Sequence, residues 1–85
     1  MYNLVFTKEA QKTLLRLPKT TATLIRQKLE QLSKEPIGSN LDIKRLQNRS
    51  GYRVRIGDWR IIYELNVDES IIVILKIATR GEVYR

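Results

Sequence analysis

Eighty-five residues, 42% of them hydrophobic, suffice for one packed core and are too few for two, because a chain this short buries only roughly 60–65% of its unfolded surface. The absence of cysteine excludes a disulfide framework and thiolate metal ligands, so packing alone must hold a single domain over residues 1–85, as suits a reducing cytoplasm. Sixteen Lys and Arg against nine Asp and Glu leave a net charge of +7, which points to a polyanionic partner; with no basic leader and no apolar run near the ~20 residues of a membrane span, a cytoplasmic location and no membrane partner are expected.

Tyr2 to Phe6 is short, apolar and β-prone, and Thr7 ahead of Lys8-Glu9-Ala10 is placed to cap a helix. Ala10, Leu14 and Leu17 recur at helical spacing until Pro18, which lacks an amide donor and stops the helix. A second helix is expected from Thr20 or Thr21 to about Ser33, with Ala22, Ile25, Leu29 and Leu32 forming its apolar stripe. Pro36, Gly38, Ser39 and Asn40 break that periodicity, and two-residue alternation replaces it. Tyr52, Val54 and Ile56 alternate with Arg53 and Arg55, Gly57-Asp58 makes a two-residue turn, and Trp59, Ile61, Tyr63 and Leu65 continue the apolar face. After a turn at Asn66 to Glu69, Ile71 to Ile77 is apolar on both faces, as in a strand covered on both sides or in the middle of a sheet. The expected fold is α+β in the order β-α-α-β-β-β: a mostly antiparallel four-stranded sheet with a helical hairpin on one face.

The positive charge is concentrated. Lys44, Arg45, Arg49, Arg53, Arg55 and Arg60 face only Asp58 in the same stretch. With the turn at Gly57-Asp58, Arg55 falls opposite Arg60 and Arg53 opposite Ile62, which sends three guanidinium groups to one face of one hairpin. Like charges directly opposite each other cost on the order of several tenths of a kcal/mol, and an anion held between them removes that cost. Arginine, whose planar donor fork fits phosphate oxygens, supplies five of the six cations and favours a phosphate-binding, RNA-binding surface including Lys44, Arg45 and Arg49. The competing reading has the arginines in solvent or paired with acids such as Glu64 or Glu82. Tyr52, Trp59 and Tyr63 fall on the apolar face by alternation and are expected in the core. Tyr84 lies in the polar stretch Thr79 to Arg85, beside arginines, where it suits an unstacked base. Arg60 lies across the hairpin from Arg55, where its charge does the free protein no favour, and Arg80 sits in this polar stretch with no evident core role. The loss of either is therefore expected to open no cavity and to leave stability nearly unchanged.

With no histidine and no cysteine, the usual neutral-pH acid–base residue, the commonest metal ligand and the thiolate nucleophile are all missing. Asp42, Asp58, Glu64, Asp68, Glu69 and Glu82 show no spacing that suggests a two-metal carboxylate site. Arginines that stabilise a pentacoordinate phosphorane can cleave RNA without metal or cofactor, because the substrate brings its own 2′-hydroxyl nucleophile.

The segments Arg45-Leu46, Gly51 to Tyr63 and Arg80-Gly81-Glu82-Val83-Tyr84, with the Phe6 to Ala10 opening, resemble the RelE branch of the RelE/ParE superfamily over nearly the whole chain. The resemblance implies a toxin of a type II toxin–antitoxin system: a ribosome-dependent endoribonuclease that cuts mRNA in the A site and is neutralised by a cognate antitoxin. It also implies roles residue by residue. Arg53 and Arg55 match two basic hairpin positions, Arg60 a phosphate-binding arginine, Arg80 a transition-state or leaving-group arginine, and Tyr84 a tyrosine that orients or stacks on substrate. RelE itself has lysine at the hairpin positions, one of them a proposed general base, whereas arginine cannot readily accept a proton. Places where relatives carry a histidine or glutamate hold Thr79 and Lys44, so the general base stays open. A gyrase poison of the ParE branch and a non-catalytic nucleic-acid binder are the other function classes.

Overall fold

The computed structural model describes residues 1–37, 40–47 and 49–79; Arg80, Glu82 and Tyr84 lie outside the described residues. In chain order it comprises β1 (Asn3–Phe6), α1 (Lys8–Arg16), α2 (Lys19–Lys34), β2 (Asp42–Arg45), β3 (Tyr52–Ile56), β4 (Trp59–Asn66) and β5 (Ile71–Thr79). The strands form one sheet in the order β1-β5-β4-β3-β2, parallel between β1 and β5 and antiparallel elsewhere.

Local chemistry sets the boundaries. The Thr7 side chain accepts a 3.2 Å hydrogen bond from the Ala10 amide and so caps α1, as the sequence led us to expect. Pro18 separates the helices; its carbonyl accepts the Ala22 amide at 2.9 Å, so α2 starts directly after it. Gly57 has φ +58 and Asp58 does not share a positive φ, an arrangement with glycine at the first central position of the β3–β4 turn. At the β4–β5 turn, the Asn66 side chain accepts the Glu69 amide at 3.0 Å, and Ser70 turns the chain with φ +56.

Both helices lie on one face of the sheet. Ala10 and Leu14 of α1 and Ala22, Ile25, Leu29 and Leu32 of α2 share a buried cluster with Val54, Ile56, Ile61, Tyr63, Ile72, Ile74 and Ile77. Tyr52 and Trp59 pack against it, so the three aromatics of the hairpin are core elements, as alternation indicates. Tyr63 is fully buried, stacks on Tyr52 at 5.5 Å between ring centroids, and donates a 2.9 Å hydrogen bond to the Pro36 carbonyl. Burial, with Tyr52 beside it, holds the Tyr63 phenol well above its ordinary pKa, and the hydrogen bond satisfies the proton it keeps.

The sheet has five strands where four were expected. The additional one, β2, is a four-residue edge strand, Asp-Ile-Lys-Arg, whose single apolar residue is too little to announce a period of two. Edge strands need only one partner and stay half in water, so a charged sequence serves there.

Candidate nucleic-acid interface

The face of the sheet opposite the helices carries the arginines. Residues directly paired across strands point the same way, so the register defines rows of side chains on this open face. One row runs Asp42, Arg55, Arg60, Ala78 across β2, β3, β4 and β5; the next runs Lys44, Arg53, Ile62, Lys76. The expected pairings Arg55 with Arg60 and Arg53 with Ile62 are present. Because β2 extends the sheet, Lys44 joins the same face, while Arg45 pairs with Tyr52 and therefore projects on the helix side. Arg49 is exposed in the connection between β2 and β3. Of the RNA-binding candidates, then, only Lys44 shares the strand rows of Arg53, Arg55 and Arg60.

The burial of these arginines departs from the expectation that the loss of Arg60 would open no cavity. Arg53 is 8% exposed and Arg60 only 7%, whereas Arg55 is exposed. Ile62 and Ala78 form a second small buried cluster on this face, with Leu46 and Leu75 against it. Arg53 stands beside Ile62, and Arg60 beside Ala78, so their aliphatic stems cover apolar surface that, among the described residues, has no helix over it. Removing Arg60 therefore costs packing as well as charge.

The polar ends are weakly engaged. Arg55 Nε reaches the Gly57 carbonyl at 3.5 Å, and Arg60 Nη1 reaches the same carbonyl at 3.4 Å and that of Trp59 at 3.3 Å. These are long for N–H···O bonds, whose usual range is roughly 2.7–3.2 Å. Two guanidinium groups thus converge on one turn carbonyl, and among the described residues neither has an acidic partner. Each guanidinium carries five N–H donors, so the pair has ample capacity left for an anion.

Arg53 differs: its Nη2 lies 3.7 Å from Asp42 Oδ1. Asp42, read from the sequence as one of several scattered acids, occupies the end of the first arginine row and reaches diagonally to the second. Of the acids first considered, Glu64 forms no ion pair among the described residues, and Glu82 lies outside them. The role of Asp42 depended on β2, whose existence the sequence pattern did not reveal. Two further candidates, Arg80 and Tyr84, lie outside the described residues.

Taken together, Lys44, Arg53, Arg55, Arg60 and Lys76 place five cations on one face, where Asp42 is paired with Arg53 and Glu64, one row further along β4, forms no ion pair among the described residues. Such a surface binds anions and, with donors fixed on a rigid sheet, can stabilise charge that develops on a phosphoryl group.

Comparison with known proteins agrees with this architecture. Residues 4–84 match the family model described as the ParE toxin of the type II toxin–antitoxin system parDE. A Methanocaldococcus jannaschii protein provisionally named toxin RelE1 is 36% identical over 86 residues, covering 99% of this chain and 96% of its own. Among solved structures, the archaeal RelE–RelB complex from Pyrococcus horikoshii contains a chain 31% identical, with a TM-score of 0.82 and coverage of 96% and 98%. A chain of the Mycobacterium tuberculosis toxin–antitoxin complex RelBE2 aligns at 27% identity and TM-score 0.80, over 93% and 98% of the two chains.

Proposed function

We propose that this chain, which belongs to the RelE/ParE superfamily of toxins from type II toxin–antitoxin systems, is a ribosome-dependent endoribonuclease that cuts mRNA and thereby inhibits translation. The observation that carries the reading is the open face itself. Arg55 and Arg60 stand opposite each other, converge on one carbonyl and have no acidic partner among the described residues. A phosphodiester between them would relieve their mutual repulsion and meet donors suited to its oxygens.

In the proposed reaction the 2′-oxygen of the substrate attacks the adjacent phosphorus as its proton leaves. The bond to the 5′-oxygen of the next nucleotide then breaks and that oxygen takes up a proton, leaving a 2′,3′-cyclic phosphate. The arginines stabilise the added negative charge of the phosphorane, and no metal is required for that step. Arg80 and Tyr84 would complete the site by the family pattern, as leaving-group arginine and substrate-orienting tyrosine. Arg53, braced by Asp42, would hold the strand beside the reacting phosphate. A cognate antitoxin would neutralise the toxin by covering this +7 chain's basic face, in keeping with the RelE–RelB pairing of the relatives.

The family model bears the ParE name, which makes a gyrase poison the second reading. One experiment separates them. Ribosomes programmed with a defined mRNA should yield discrete A-site cuts when the protein is added, and a 2′-deoxy nucleotide at the cut position should abolish them. Intact mRNA, together with trapped gyrase–DNA cleavage complexes in a parallel reaction, would replace the ribonuclease reading with the gyrase one.

A further inference from the structure

We infer that Lys76 is a phosphate-binding residue of the open face, gripping the phosphodiester next to the one held between Arg55 and Arg60 on a single strand of RNA. The inference rests on the RNA reading above and adds to it a residue outside the arginine set. It begins from an oddity of sequence: from Ile71 to Ala78 every residue of β5 is apolar except Lys76. β5 lies between β1 and β4, and a charged residue inside such a strand has no place in its core.

The register removes the conflict. Ile74 pairs with Tyr63, so an unbroken ladder would set Lys76 opposite Ile61, which is fully buried under the helices. Instead the register shifts between Ile62 and Tyr63: Leu75 is passed over, Lys76 stands opposite Ile62 on the open face, and Ile77 takes the core position opposite Ile61. Bulges re-aim side chains in this way next to functional sites. The bulge is also fastened from outside the β4–β5 ladder. The Thr7 amide donates to the Ile74 carbonyl at 3.0 Å, and the Thr7 hydroxyl donates to the Leu75 carbonyl at 2.9 Å.

Lys76 thereby enters the row of Lys44 and Arg53 and lies diagonal to Arg60, half-buried and, among the described residues, with no carboxylate in ion-pairing range. The row it joins is two residues along the strands from that of Arg55 and Arg60, roughly 6.8 Å. That separation is comparable with the distance between successive phosphates of a single strand. An ammonium, a compact point charge, can meet the non-bridging oxygens of the second phosphate without the planar fit that arginine demands.

The test is the salt dependence of binding, measured by fluorescence anisotropy with a single-stranded RNA oligonucleotide that is 2′-O-methylated throughout and so cannot be cleaved. For a single strand, each phosphate that the protein no longer neutralises should make the plot of log affinity against log salt shallower by about 0.7. Lys76→Met, which keeps the half-buried stem, should show that change. Lys76→Arg should restore the wild-type slope, and Lys19→Met, on the exposed start of α2, should leave it unaltered. Thermal melts accompany each variant, and Lys76→Gln replaces the methionine variant if that one melts early. An unchanged slope in a folded variant, or no binding of the oligonucleotide by wild type, overturns the assignment. Wild type that binds this RNA but cuts no mRNA on ribosomes would sink the cleavage reading and leave Lys76 in place; cleavage with an unaltered Lys76→Met slope would do the reverse.

Discussion

The two faces of the sheet are made by the same strands and obey opposite rules. On the helix side, β3 and β4 present Val54, Ile56, Ile61 and Tyr63 to both helices, and each is at most 4% exposed. On the other side, alternation sends Arg53, Arg55, Arg60 and Ile62 away from both helices, and among the described residues no helix covers them. The first face gains stability by burying hydrocarbon. On the second, arginine stems do the covering and the charged ends crowd together, which no folding requirement explains. The difference teaches where to look for function in a small domain: at the face whose composition costs stability.

The largest effect should come from breaking the covered face. Leu29 is 1% exposed in the shared cluster, and Leu29→Ala should destabilise the protein by roughly 2–5 kcal/mol, a sizeable share of the 5–15 kcal/mol typical of a domain. Urea unfolding checks this, and ribosomal cleavage per folded molecule should stay near wild type. If the active fraction falls much more than the folded fraction, the two faces are not separable.

On the open face the effects should reverse. Arg60→Met keeps an apolar stem beside Ala78 and removes the guanidinium, so single-turnover cleavage should drop about 10²–10³-fold, as when an oxyanion donor is deleted, with a small change in stability. Arg60→Ala should lose the same activity and unfold more readily than Arg60→Met, because Arg60 is 7% exposed and its stem has packing to lose. Equal melting temperatures for the two variants would show that the stem carries no weight. Wild-type cleavage by Arg60→Met would refute the arginine mechanism.

The smallest effect sharpens the comparison. Asp42 is half-exposed and 3.7 Å from Arg53, so Asp42→Asn should change stability by no more than roughly 1 kcal/mol, the range of surface ion pairs. If Asp42 braces Arg53, RNA binding should respond more than stability does. Identical salt-dependent RNA affinity for Asp42→Asn and wild type would mean that Arg53 needs no brace.

The sequence by itself determined the helices, through the stripe of Ala22, Ile25, Leu29 and Leu32 and the stop at Pro18, because helical periodicity and a missing amide are local properties. It also determined the facing of Arg55 and Arg60, because a two-residue turn at Gly57-Asp58 fixes the register of the strands that flank it. The tertiary structure alone decided the rest. β2 is a strand only because β3 offers it an edge, and without β2 neither Asp42 nor Lys44 has a place in the arginine rows. The burial of Arg60 depends on Ala78, which follows it by 18 positions and meets it through the β4–β5 ladder. Lys76 faces the arginines because a bulge inverts the alternation of β5, and Thr7, far away in the chain, fastens the bulge's carbonyls. Side-chain direction in a strand carries forward only while the ladder is unbroken, so a single unpaired residue, invisible in the composition of β5, reassigns every position after it.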